Sequence, residues 1–193
     1  MILADKSLCR DTGAGLVEMP EGAEWECLVV GLGNCLLGDD GIGVHAVWQL
    51  SNQLPPGAFA IEVGTDVFSA LSWLERVPRV LAIDAMDAGG PPGTIYRGAP
   101  RDVKVRAMRT SLHELDFLAA LEFVPPAKWP AISILGVQPA LIHYGLDLSP
   151  ALQAALPKVV EAARATVASW LEVRRRPSNR ASDPLPNSGY QGI

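Results

Sequence analysis

The residues best able to do chemistry fall in three short runs. Residues 31–43 read GLGNCLLGDDGIG, with adjacent carboxylates at Asp39 and Asp40. Residues 80–87 read VLAIDAMD, so Asp84 directly follows an apolar run. Residues 111–114 read SLHE. Ser111 and Glu114 have the spacing of a capping box, which puts His113 in the first turn of a helix. The positive end of a helix disfavours imidazolium, and neutral imidazole is the form that ligates metals. Asp40, Asp84 and His113 together offer two oxygens and one nitrogen, a donor set suited to a borderline divalent metal such as nickel or zinc.

Each residue also has a plainer reading. Asp39 or Asp40 can cap the helix that follows; the expectation is that one does and the other faces a cleft. Asp84 or Asp87 can cap a turn, and His113 alone reads as an exposed first-turn histidine. His45, within a helical pattern, and His143, in a late loop, read as structural or exposed. A dinucleotide loop fits poorly, because Leu36 stands where the third glycine of G-x-G-x-x-G belongs and two carboxylates would repel a pyrophosphate.

The elements that must position these residues follow from the apolar pattern. Short buried strands are expected at 27–30, 58–63, 80–83 and 131–137, with an edge strand at 94–97 after the turn residues GGPPG. Helices are expected at 42–50, at 67–74 with Asp66 as N-cap, at 111–123, and from Pro150 onward with Ser149 as cap. Proline is favoured at a first helical position, while Pro157 should kink that last helix. Alternation of this kind predicts an α/β fold: a three-layer α/β/α sandwich around a twisted, mostly parallel sheet with one antiparallel edge strand. Ligands of such sheets sit beyond the strands' carboxyl ends, so the loops after residues 30, 63, 83 and 137 are where a site is expected.

Composition narrows the function. The chain has 193 residues, 49% of them hydrophobic and 19% charged, which predicts one domain. That domain is expected over 26–176, after an N-terminal extension at 1–25. Residues 177–193 are rich in Pro, Ser, Asn and Gly, and disorder is expected there. The net charge is −5, and the segment from Arg174 onward carries +3, leaving −8 on the rest. An acidic body argues against nucleic acid; the arginine run at 174–176 suits a solvated helix end. Cys9, Cys27 and Cys35 lack disulfide or zinc spacing, which predicts a reducing, cytoplasmic compartment. Neither a signal-peptide core nor a membrane-spanning run is apparent.

Four segments in order, GLGNCLLGDDGIG, AIDAMDAGGPPGT, TSLHELDF and GVQP followed by GLDLSP, resemble the nickel–iron hydrogenase maturation endopeptidases across roughly residues 27–173. The resemblance implies an α/β/α sandwich that removes a short C-terminal peptide from the hydrogenase large-subunit precursor after nickel insertion. It implies a metal held by two carboxylates and a histidine, which fall on Asp40, Asp84 and His113. Nickel would then come with the precursor, which is the expected partner; the chain is expected to be a monomer. Cys35 falls at a variable loop position and receives no catalytic role. The residues suit attack by a metal-activated water or by a water deprotonated by an Asp. Two alternatives share features of this pattern. A non-catalytic, nickel-dependent escort would use the same three ligands. A peptidyl-tRNA hydrolase-like esterase also opens on GLGN, but Asp39-Asp40-Gly41 and the acidic body suit tRNA poorly.

Overall fold

The computed structural model describes residues 25–99, 119 and 123–175. Five strands form one sheet: β1 (Cys27–Leu32), β2 (Ala58–Gly64), β3 (Arg79–Ala85), β4 (Ile95–Gly98) and β5 (Ala131–Val137). Their spatial order is β2-β1-β3-β5-β4. The first four of these are parallel, and β4 lies antiparallel on the β5 edge, pairing Ile95 with Val137. The expected three-layer sandwich is therefore present, its antiparallel strand at an edge.

The strands are buried because their side chains alternate between two apolar layers. On one face Leu28, Val30, Val80, Ala82 and Ile134 pack against Val67, Ala70, Trp73 and Leu74. These last belong to a 3-10 turn over Val67–Ala70 running into helix α2 (Leu71–Leu74). Asp66 caps that turn, its carboxylate accepting from the Ser69 amide at 3.4 Å. On the other face Val29, Leu81, Ile83, Leu135 and Val137 meet α1 (Ile42–Leu50) and α3 (Pro150–Arg175). Trp25, at the end of the expected extension, already packs on the domain, its ring 5.2 Å from Phe59.

Helix α3 starts as expected, with the Leu152 amide donating to Ser149 Oγ at 3.4 Å. It continues through Pro157 to Arg175. The proline removes the amide that the Gln153 carbonyl would accept. Gln153 and Pro157 are both exposed, so water can satisfy that carbonyl.

The chain goes from β1 outward to β2, then returns past β1 to β3. The strand order therefore reverses between β1 and β3, and in open α/β sheets the ligand crevice lies at the carboxyl ends beside such a reversal. The expected helix over 111–123, with His113, lies outside the described residues except at 119 and 123, and the expectations for 1–24 and 177–193 lie outside them too.

Candidate functional site

Two of the three candidate ligands lie beside this switch point, Asp84 in β3 and Asp40 in the connection that follows β1. Asp84 is the sixth residue of β3 and is wholly buried. One of its oxygens, Oδ1, accepts the Ala85 amide at 2.8 Å. Asp40 sits in a 3-10 turn over Asp39–Gly41, between β1 and α1, and is 4% exposed. Its Oδ2 accepts the Asn34 amide at 2.8 Å.

Gly33 lies between them. Its φ is +107°, in the left-handed region where a side chain is strained. A Cβ there would collide with the Asp40 carbonyl oxygen and reach within 3.4 Å of Asp84 Oδ1. Gly43 has a similar role further along the chain: a Cβ would run into the carbonyl oxygens of Ile83 and Leu32. These glycines let the start of α1 lie directly on the ends of β1 and β3. The glycines of the 31–43 run thus serve close backbone approach, which sets the Asp40 backbone beside the Asp84 carboxylate.

The two adjacent carboxylates have different jobs, and neither caps α1, where the structure departs from expectation. Gly38 and Gly41 hold the cap positions, with no side-chain cap hydrogen bond. Asp39 turns away and accepts three backbone amides from a distant loop. Oδ2 takes Ala140 at 2.8 Å and Leu141 at 3.2 Å, and Oδ1 takes Ser149 at 2.6 Å. Charge-assisted bonds of this kind are among the stronger ones in proteins. Local spacing suggested a cap because an Asp beside a helix start usually finds amides there; here the 140–149 loop supplies them instead.

Two further organisers had no role assigned from sequence. Asn34 closes a turn: its Oδ1 accepts the Leu36 amide at 2.9 Å and its carbonyl accepts Leu37 at 3.0 Å. Gln138 is buried just past β5. Its Oε1 accepts the amides of Ala88 at 2.9 Å and Gly90 at 3.2 Å, and its Nε2 donates to Asp87 Oδ1 at 3.0 Å. It thereby ties down the loop that follows Asp84. A glutamine between an apolar strand and a proline was the available signal.

Three further titratable groups lie on α1, on β1 and in the 140–149 loop. His45, on α1, packs edge-on to Trp48, with ring centroids 4.9 Å apart. Burial holds its pKa below the ordinary histidine value, with Asp147 acting in the opposite sense. Burial pushes the Cys27 thiol up to about 11, offset to a degree by Arg79 and reinforced by Glu26, which makes it a poor nucleophile. His143 is exposed, against Gly38. No three His, Cys, Asp or Glu side chains gather into a metal-binding group among the described residues. Asp40 and Asp84 are hard anionic oxygen donors that fit a portion of a divalent-metal set.

Comparison with known proteins gives this arrangement a family. The model of the hydrogenase maturation protease family matches residues 44–166. The chain belongs to that family. It is 31% identical over 187 residues to the hydrogenase expression/formation protein HupD of Rhodobacter capsulatus, covering 90% of this chain and 88% of that one. It is 30% identical to the HupD protein of Rhizobium leguminosarum bv. viciae over 82% of each. Among solved structures, the hydrogenase maturating endopeptidase HybD from E. coli superposes with a TM-score of 0.65 at 27% identity, covering 75% of this chain and 93% of that one. The [NiFe] hydrogenase maturation protease HybD from Thermococcus kodakarensis gives 0.64 at 26% identity, over 74% and 99%. Membership displaces the dinucleotide and peptidyl-tRNA hydrolase readings. In this maturation protease the crevice between β1 and β3 is the place to look for peptide-bond chemistry.

Proposed function

We propose that the chain is the endopeptidase that removes a C-terminal peptide from the nickel-loaded large-subunit precursor of a NiFe hydrogenase, reading the bound nickel as its signal. The observation that carries the proposal is the placement of the Asp40 backbone and the Asp84 carboxylate around Gly33 at the strand switch point, in a chain of the hydrogenase maturation protease family. Nickel arrives with the substrate and supplies positive charge to a crevice with two carboxylates. Asp40 and Asp84 bind and orient that centre, and His113 is assigned to the same set. Two oxygens and one nitrogen make a sparse site, so the isolated chain holds nickel loosely and the precursor's own ligands complete the coordination. Holding the scissile bond beside the anchored centre supplies the proximity that hydrolysis needs. The same logic makes affinity for the precursor depend on its nickel content.

The partner is the precursor, not nucleic acid or membrane. No described helix is long and apolar enough to cross a membrane. The place of action is the cytoplasm, and the working form is a monomer.

A gel-shift cleavage assay on nickel-loaded and nickel-free precursor tests the reading, with metal content measured on the purified chain. The loaded form should be cut, the free form spared, and the chain should carry well under one metal per molecule. Equal cutting of both forms defeats nickel as the signal. Nickel-dependent binding without cleavage makes the chain an escort, and tight stoichiometric zinc makes it a conventional metallopeptidase.

A further inference from the structure

The loop clamped by Asp39 presents an unusual surface. Leu141, Ile142, Tyr144 and Leu146 are all exposed, Tyr144 at 89%, and Leu36 is exposed beside them. The two segments are joined by backbone. The Gly145 amide donates to the Leu36 carbonyl at 3.0 Å, and the Gly38 amide to the Gly145 carbonyl at 2.8 Å. Bridges pair Leu37 with Gly145 and Gly38 with Ile142. The three amide bonds to Asp39 hold the far side. Five large apolar side chains thus stand in water on a braced backbone, where scattered single ones would need no explanation.

We infer that Leu36, Leu141, Ile142, Tyr144 and Leu146 form a preformed docking strip for an apolar segment of the large-subunit precursor flanking the bond to be cut. The inference rests on the processing function proposed above and names how that site takes hold of its substrate. Position selects the occupant. The strip begins at Leu36 and is bridged to Gly38, two residues before Asp40, so its backbone is continuous with the loop that carries Asp40. A second copy of the chain seated there would cover the approach to Asp40. Bracing matters as well, because a backbone already ordered loses little entropy on binding. An exposed tyrosine at the centre of an apolar strip is a common anchor for a protein partner.

The test is steady-state cleavage of nickel-loaded precursor by the full-length chain and by a Leu141→Ser/Tyr144→Ser double variant, with Leu36→Ser as a second probe. Both sites are exposed, so the thermal midpoint should stay close to wild type. The double variant should raise KM about tenfold or more with kcat within about twofold, the pattern of lost substrate binding. Leu36→Ser should move KM the same way by a smaller factor. An unchanged KM in the double variant, while wild type cuts normally, overturns this inference alone. A wild-type chain that leaves loaded precursor whole overturns the processing function and this inference with it. Sedimentation of the chain by itself supplies a further check: a dimer that the double variant abolishes would assign the strip to self-association and overturn the inference.

Discussion

The carboxyl edge of the sheet and the sheet's interior partition their residues in opposite ways. In the interior the usual rule holds: Leu28, Val29, Val80, Leu81 and Leu135 are buried between layers, and hydrophobic burial stabilises the fold at roughly 25 cal/mol per Å2. At the carboxyl edge the charges are inside and the oily groups outside. Asp39, Asp40 and Asp84 are nearly inaccessible, while Leu36, Leu141, Tyr144 and Leu146 face water. Buried carboxylates cost free energy unless their oxygens are satisfied, and Asp39 is satisfied three times over. The inversion costs stability rather than adding to it. An interior built like this edge would not fold, so the arrangement is tolerated over a short stretch.

Three variants put that contrast to the test. The largest effect should come from Asp40→Asn. It keeps the side chain's size and an oxygen for the Asn34 amide but removes the negative charge. Processing of loaded precursor should drop by about 100-fold or more while the fold is kept; normal processing by a folded variant would remove Asp40 from the site. Asp39→Ala should act on stability first. It leaves the amides of Ala140, Leu141 and Ser149 without their acceptor, at about 1–3 kcal/mol for each that stays buried. Unfolding free energy should fall by about 3 kcal/mol or more, a midpoint loss of roughly 6–12 °C for a chain of this size. A midpoint within about 2 °C of wild type would show that the loop is not braced by Asp39.

The smallest effect concerns His45, whose Nε2 is buried without a hydrogen-bond partner. Its pKa is lowered by burial, so at acid pH the unfolded chain takes up a proton that the folded chain resists. Its contribution to stability is present above the ordinary histidine pKa of about 6.5 and is lost as pH falls below that toward the lowered value. His45→Gln should therefore flatten the decline of thermal midpoint between about pH 7 and 5, by at most about 4 °C. An unchanged slope would show that His45 is not a source of that decline.

How much of this was legible in the sequence depends on the range of the interaction concerned. The strands, α1, the Asp66 cap and the Ser149-Pro150 helix start rest on local periodicity and short-range hydrogen bonds, which the order of residues specifies directly. Asp84 could be placed at a strand end for the same reason. The four motifs in order carried the family. The division of labour between Asp39 and Asp40 is of another kind. Both stand in one turn with equal local claims to cap it. The choice was made by amides a hundred residues away, at Ala140, Leu141 and Ser149, and only folding brings those within reach. The exposed strip was hidden likewise. The apolar residues at 141–146 have no role assigned from sequence; only in the folded chain do the bridges to Leu37 and Gly38 hold them beside the loop that carries Asp40. Local propensity is written residue by residue; contact between distant loops exists only once the sheet has set their strands side by side.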